Sequence, residues 1–221
     1  MNIFRLLFHI HTIYSWDGFI KIEELIAIAE KFNITHLCVT EHNNIDSYWV
    51  LCDFVRKKKS NINIIPGVEY TTKVGDIIIM GLAKIFNFDF FEEWERLVKE
   101  AQNNGGVVVL PHPYKRKNYP KELIERIDVF EAVNMRGICK KFTVEEFAGK
   151  PCIYGVDAHL RRELPGIINN VVTSYSDLLT ALKKGSFVCI PEIYRKDLCL
   201  LSFCLKSLHK IKRIINRRKK R

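Results

Sequence analysis

Histidine and carboxylate side chains recur at short intervals along this 221-residue sequence. The stretch "FHIHTIYSWDG" (residues 8–18) has two histidines one residue apart, followed by an aspartate. Four later stretches carry similar side chains: "TEHN" (40–43), "PGVE" (66–69), "PHP" (111–113) and "GVDAH" (155–159). Together they supply eight candidate metal ligands: His9, His11, Asp17, His42, Glu69, His112, Asp157 and His159. Imidazole and carboxylate without thiolate suit Zn, Mn or Fe in open catalytic sites, whereas closed structural Zn sites favour Cys.

The number of candidate ligands indicates more than one ion. A Zn ion takes three or four protein groups, so eight ligands predict two or three divalent ions a few Å apart, bridged by a carboxylate. Glu69, which stands alone after its predicted strand at a glycine-flanked position, is the predicted bridge. Side chains of an extended segment repeat every two residues, so His9 and His11 are predicted to point the same way, as are Asp157 and His159.

The elements that would position these ligands alternate between strand and helix patterns. Nine strands are predicted, over residues 3–8, 35–40, 62–66, 76–82, 107–111, 128–133, 152–156, 170–173 and 187–190. Apolar residues at helical spacing lie between most of them, and "SDLLTALKKG" closes on Gly185 as a helix stop. This alternation predicts an α/β fold with a mainly parallel sheet. Five of the seven histidines follow predicted strands, whose ends open on one face of a parallel barrel.

As an ordered set, the five motifs resemble the polymerase and histidinol phosphatase (PHP) superfamily over roughly residues 5 to 190. The chain looks most like the small, stand-alone PHP phosphoesterases. The resemblance implies a distorted TIM-like (β/α)7 barrel with up to three metal ions on its C-terminal face. It further implies that His9, His11, Glu69 and Asp157 hold one ion, that Glu69 and His112 hold a second, and that Asp17, His42 and His159 hold a third.

Three positions depart from the pattern of the family. An Asp commonly stands two residues before the first His, where it would orient a metal-bound imidazole, and here that residue is Leu7. The "TDH" of many members reads "TEH", and we predict that Glu41 orients the ligands or transfers protons. A further ligand, often His or Cys, is expected near the end of "DVFEAVNM", where the candidates are Glu131 and Asn134.

The resemblance and the ligand types together predict phosphoester hydrolysis. Divalent ions lower the pKa of a bridging water toward about 7, and the resulting hydroxide would attack phosphorus in line while the ions neutralise the phosphate oxygens. A phosphomonoester is the expected substrate class, with nucleotides among the candidates. Four cationic side chains are candidates for binding the phosphate: Lys115, Arg116, Arg136 and Arg161. Arg suits bidentate phosphate contact, and a solvated surface charge is the alternative for each.

The net charge of +10 belongs to the C-terminal segment. Residues 206–221 hold nine of the 35 Lys and Arg residues and no acidic residue, which leaves 26 basic against 25 acidic residues elsewhere. We therefore predict a barrel domain over residues 1–195 and a C-terminal amphipathic helix with a basic tail over residues 196–221. The tail either packs on the barrel and ends in solvent, binds nucleic acid through phosphate contacts, or lies on a membrane surface.

Cysteine spacing and hydropathy narrow the class of protein. The seven cysteines form no C-x-x-C pair, which favours reduced thiols and a cytoplasmic location. No apolar stretch reaches the roughly 18–20 residues that a membrane span needs.

Two other functions are hypotheses alongside phosphoester hydrolysis. One is a nuclease or nucleic-acid-processing protein whose basic tail recruits RNA or DNA, and the other is a non-catalytic metal-binding barrel that serves as an interaction module.

Overall fold

A computed structural model of the protein describes residues 1–115, 118–137, 147 and 149–194. The strands in this part of the chain are β1 (Asn2–Phe8), β2 (His36–Cys38), β3 (Glu41–His42), β4 (Asn63–Ile65), β5 (Gly67–Thr72), β6 (Gly75–Met80), β7 (Val107–Leu110), β8 (Val129–Asn134), β9 (Cys152–Gly155), β10 (Ile167–Thr173) and β11 (Val188–Ile193). The helices are α1 (Ile22–Lys31), α2 (Asp46–Lys58), α3 (Trp94–Asn103), α4 (Lys121–Arg126) and α5 (Leu178–Lys184).

The strands form two mixed sheets in a mixed α/β fold. One sheet has the order β11-β10-β1-β2-β4 and the other the order β3-β5-β6-β7-β8-β9. Four strand pairs are antiparallel: β1 with β10, β10 with β11, β5 with β6, and β6 with β7. The other five pairs are parallel, so parallel pairing prevails by one pair, while the antiparallel pairs were not predicted. One antiparallel pair follows from the short turn between Thr72 and Gly75, which can join only antiparallel neighbours.

All nine predicted strands are present, with ends that differ by a few residues. The strands β3 and β5 were not predicted. Strands were predicted from apolar runs, and both of these strands carry polar residues of the ligand motifs. The helix stop at Gly185 is confirmed: this residue follows α5 with a φ of 62°, and its N–H bonds back to the carbonyl groups of the last turn.

The core takes side chains from both sheets and from one face of each long helix. Helix α1 buries Ile22, Leu25, Ile26 and Ala29, as its apolar spacing predicts. A central cluster includes Leu6 and Phe8 from β1 together with Val109 from β7, so the two sheets share one core. Backbone hydrogen bonds also connect them, since the N–H of Val156 donates to the carbonyl of Phe8 at 3.2 Å.

Several predictions concern residues that the structure does not describe or does not test. The tail over residues 196–221 and Arg116 lie outside the described residues, and the division into two domains stays a prediction. Closure of the sheets into a (β/α)7 barrel also stays a prediction.

Four cysteines lie in the described part of the chain, and all four are free thiols. Among the helices described, none is long and apolar enough to cross a membrane.

Candidate metal centre

The structure brings the eight predicted ligands into one connected cluster. Seven of them are almost fully buried, and the eighth, His42, is 14% exposed. The carboxylate of Glu69 lies at the centre, within 3.5 Å of ring nitrogens from four histidines: His9, His11, His42 and His112. Its central position agrees with the bridging role predicted for Glu69.

The spacing of the buried atoms fits a divalent ion better than hydrogen bonds. The Nε2 atoms of His9 and His11 lie 3.5 and 3.3 Å from Glu69 oxygens, and each lies 3.6 Å from Oδ1 of Asp157. Both nitrogens are buried without a hydrogen-bond partner among the described residues. Hydrogen bonds would bring such atoms to about 2.7–3.2 Å. Ligand atoms on a tetrahedral Zn ion, with bonds of about 2.0–2.1 Å, lie roughly 3.3 Å apart.

A second set of ligands surrounds Asp17. Its Oδ2 atom lies 3.1 Å from Nε2 of His159 and 3.5 Å from Nε2 of His42. The Oδ1 atom of Asp17 is buried without a hydrogen-bond partner in the described part of the chain. Four ligand atoms, from His11, Asp17, His42 and His159, lie within 4.8 Å of one another, which matches the third ion that the family resemblance implies, with His11 added.

Left-handed backbone at strand ends turns three of the ligands into the cluster. The φ angles are 63° at His9, 33° at His112 and 53° at Asp157, values that are uncommon for residues other than glycine. Such conformations cost on the order of 1–3 kcal/mol each and concentrate at functional sites. Strand β1 ends at Phe8, so His9 and His11 converge because of this turn and not because of strand periodicity.

The cluster is strongly polarised in the metal-free protein. Burial lowers the pKa of His9, but the carboxylates of Glu131, Glu69 and Asp157 outweigh it and hold the pKa well above its usual value. Burial raises the pKa of Glu69, yet His9 and His42 hold it well below the usual range. Lys115 and His9 likewise hold the pKa of Asp157 well below its usual range against the effect of burial, so Glu69 and Asp157 are ionised at neutral pH and attract protons or metal cations to the ring nitrogens between them.

Two histidines of the cluster have opposite shifts. Burial lowers the pKa of His42, but Glu69 and Asp17 raise it to about 9. Burial and the neighbouring rings of His159 and His42 hold the pKa of His11 well below its usual value. His11 is thus a neutral imidazole at pH 7, the form that binds a metal ion.

Glu131 contacts two of the candidate ligands, His9 and His112. Sequence reasoning did not assign it this supporting role. Its Oε1 atom lies 2.5 Å from Nδ1 of His9, and its Oε2 atom accepts hydrogen bonds from the N–H of His112 at 2.7 Å and from Nδ2 of Asn134 at 3.0 Å. The support that was missing at Leu7 therefore comes from β8. A signal was present, because "VFEAV" places a charged residue inside an otherwise apolar strand.

Glu41 ties two ligand segments together. Its carboxylate accepts hydrogen bonds from the N–H and Oγ1 of Thr12 and from Oγ of Ser15. The N–H of His42 in turn donates to Oγ of Ser15 at 3.1 Å. Burial raises the pKa of Glu41. These contacts suit the predicted orienting role, which needs no contact between Glu41 and a metal ion.

The candidate phosphate-binding cations differ in their distance from the cluster. Nζ of Lys115 lies 3.5 Å from Oδ2 of Asp157, and this carboxylate raises the pKa of Lys115 against the lowering effect of burial. Arg136 contacts Glu163 at 3.3 Å, and Glu163 accepts a hydrogen bond from the N–H of His159. Arg161 is two-thirds exposed, and its Nε lies 3.8 Å from Glu24 on α1, so the structure directs it away from the ligands.

Fold and cluster together define a mixed α/β protein with a candidate multinuclear metal centre. The chain belongs to the PHP family, since the family model described as "PHP domain" matches residues 8–207.

Two relatives share shorter segments with the chain. The DNA polymerase III subunit alpha of Borreliella burgdorferi is 36% identical over 62 residues, which are 28% of this chain and 5% of that protein. A Thermotoga maritima protein described as "Probable histidinol-phosphatase" is 33% identical over 46 residues, 21% of this chain and 20% of that one. The chain thus spans a small part of both relatives.

Solved structures share the fold at low sequence identity. PsfC from Pseudomonas syringae matches with a TM-score of 0.67 and 18% identity, over 94% of this chain and 100% of that chain. A two-domain protein from Bacteroides vulgatus, described as containing a "predicted PHP-like metal-dependent phosphoesterase", matches with a TM-score of 0.65 and 16% identity, over 86% and 65% of the respective chains.

Proposed function

We propose that this chain is a metal-dependent phosphoesterase that hydrolyses phosphomonoesters, with nucleotides among its candidate substrates. The observation that carries the proposal is the set of buried ring nitrogens without hydrogen-bond partners in the described residues, spaced around Glu69 and Asp157 as ligands of one ion are. Two or three divalent ions, Zn, Mn or Fe, suit a ligand set of imidazole and carboxylate.

Each residue has a defined part in the proposed reaction. When bound, the ions supply an activated water and neutralise charge on the phosphate. Glu69, His9 and His11 would hold the ions, the two histidines through their Nε2 atoms. Lys115, beside Asp157 and half-exposed, is placed to attract the phosphate of an incoming substrate. Arg136 supports His159 through Glu163 and reaches substrate only if this ion pair opens.

The descriptions of two similar proteins support the same chemistry. One reads "Probable histidinol-phosphatase" and the other "predicted PHP-like metal-dependent phosphoesterase", and both refer to the hydrolysis of phosphoesters. The resemblance also supports closure of the two sheets into the predicted barrel. A nuclease is the alternative proposal, favoured by the similarity to a polymerase subunit. Its other support, the basic segment 206–221, lies outside the described residues.

Metal analysis coupled to a substrate panel tests the proposal. The purified full chain is loaded with Zn or Mn, its metal content is measured, and hydrolysis is followed on mononucleotides, sugar phosphates and short oligonucleotides. We expect bound metal and release of inorganic phosphate from at least one monoester. Cleavage of oligonucleotides alone would favour the nuclease, and metal binding without hydrolysis of any substrate would favour the non-catalytic barrel.

Matched variants link the activity to the cluster. His9→Ala and Asp157→Ala are expected to lose both metal and turnover, because each removes a ligand from the same ion. His36→Ala is the control, since His36 lies at the start of β2 and bonds to Thr35 outside the cluster. Circular dichroism confirms that each variant is folded. Unchanged turnover in either ligand variant would refute the mechanism.

A further inference from the structure

The second ion of the proposed centre lacks a third protein ligand if only the predicted residues are counted. Glu69 and His112 lie 2.9 Å apart through Oε1 and Nε2 and supply two. The sequence offered Glu131 and Asn134 as the third, but both are engaged elsewhere. Glu131 bonds to His9 and to the N–H of His112, while Asn134 bonds to Glu131 and accepts from the hydroxyl of Tyr114.

A different carboxylate lies on the open side of this pair. Asp76 is in β6, and its Oδ2 atom is 3.8 Å from Nε2 of His112. One ligand atom each from Glu69, Asp76 and His112 lie within 4.8 Å of one another. Ligand atoms on one ion with bonds of about 2.1 Å lie roughly 3.0–4.3 Å apart, so a small side-chain movement closes the site.

We propose that Asp76 is the third protein ligand of the ion held by Glu69 and His112. The proposal deepens the metal centre of the proposed function, and it concerns ion binding whether or not the chain hydrolyses a phosphoester. The side chain of Asp76 is 29% exposed, whereas those of Glu69 and His112 are at most 3% exposed. The proposed site would therefore be open to solvent on the side of Asp76.

The topology explains how an early strand residue reaches the site. Strand β6 is antiparallel to β5, so its first residues lie beside the end of β5, at the end of the sheet where the ligands gather. Asp76 pairs with Thr71, and Glu69 pairs with Ile78, which puts the two carboxylates on the same face of the hairpin.

Counting ions in Asp76→Asn tests the proposal. Asparagine keeps the shape but removes the charge and the strong oxygen ligand. We expect the full chain, titrated with Zn or Mn, to lose one ion per molecule or to bind that ion about 10–100-fold more weakly. Asp46→Asn is the control, because Asp46 is exposed in the first turn of α2. An ion count and affinity equal to those of the unchanged protein would overturn the proposal.

Two further readouts guard against misfolding as the cause. The circular dichroism spectrum and the urea midpoint of metal-free Asp76→Asn should match those of the metal-free parent, which those of a damaged fold would not do. The double variant with His112→Ala should lose no more ions than either single variant, because both residues serve one ion. Failure of the ligand assignment can be told apart from failure of the proposed function. If Asp76→Asn keeps the ion content and turnover of the parent, only the ligand assignment is overturned. If Asp76→Asn loses one ion but the parent chain hydrolyses no substrate, only the proposed function is overturned.

Discussion

The Nδ1 atom of His9 lies 2.5 Å from Oε1 of Glu131, across the core from β1 to β8. With one proton held between Nδ1 and Glu131, the Nε2 atom, which faces Glu69 and Asp157, is the ring nitrogen that would bind a metal ion once its own proton is displaced. Leu7, where the family resemblance predicts a supporting carboxylate, is instead fully buried in an apolar cluster. The carboxylate that supports His9 therefore comes from β8 and not from β1.

Replacing Glu131 with Gln should weaken metal binding without removing any ligand. The amide can still accept from His9 with its oxygen, but its NH₂ group would face the N–H of His112, which donates to Glu131 in the native protein. We expect a loss of about 10–100-fold in metal affinity, measured by competition with a chelator. Glu125→Gln, on the exposed side of α4, is the control. Equal affinities in the two variants would show that Glu131 does not support the centre.

Gly155→Ala should disturb the same support from the other side. A Cβ atom at this position would lie 1.7 Å from Oε1 of Glu131, which the buried carboxylate cannot tolerate without moving. We expect a loss of about 1–3 kcal/mol in the free energy of unfolding, measured in urea, together with weaker metal binding.

A double variant identifies the clash as the cause. In the Glu131→Ala background the carboxylate is absent, so Gly155→Ala should cost much less there than in the parent chain. If the cost of the alanine at residue 155 is the same in both backgrounds, the contact with Glu131 is not its origin.

The sequence located the clustered candidate ligands better than it located the residues that support them. Residues such as Glu69 and His112 stand directly after apolar strands, and their chemistry is unusual enough to be recognised at that position. The supporting role of Glu131, which was predicted only as a candidate ligand, and the position of Asp76 were missed for physical reasons. Glu131 lies in the middle of a strand and acts through a long-range contact with His9, and Asp76 begins a strand whose antiparallel direction no local pattern encodes.

The fold shows the same division between local and long-range information. Periodicity located α1 and α3, because Leu25 and Leu97 belong to apolar faces that are read from neighbouring residues. The positive φ at His9 and Asp157 depends on contacts between distant segments, such as the N–H of His11 donating to the carbonyl of Ala158. Such geometry is fixed by tertiary structure and is not visible in a strand pattern.

Leu97→Ala should destabilise the fold without touching the metal centre. Leu97 is fully buried on α3, where it packs in the cluster with Val108 and Leu110 of β7. Truncating a buried Leu costs about 2–5 kcal/mol, through lost burial and the cavity left behind. Urea unfolding of the metal-loaded protein measures it, and Lys99→Ala on the exposed face of α3 is the control. A loss of metal from folded Leu97→Ala protein would contradict the separation of this core from the centre.

Removing the metal should make stability depend on pH through His42. Its pKa in the folded, metal-free protein is about 9, above the value near 6.5 of a free imidazole, because Glu69 and Asp17 outweigh burial. The protonated ring therefore stabilises the metal-free fold fully below about pH 6.5, and this contribution is lost as the pH rises through about 9.

A metal-loaded centre avoids that loss, because a ring nitrogen must be deprotonated before it binds an ion. We expect the melting temperatures of the metal-free and metal-loaded proteins to diverge as the pH rises from about 6.5 to 9.5, in scanning calorimetry at matched ionic strength.

Adding Zn at pH 7 to the unbuffered metal-free protein should release protons, measured by titration back to the starting pH, because His9 and His42 both hold raised pKa values. His36→Ala should release as many protons as the parent, since burial lowers the pKa of His36 and it lies outside the cluster. Metal binding without proton release would show that the cluster is not charged as the structure implies.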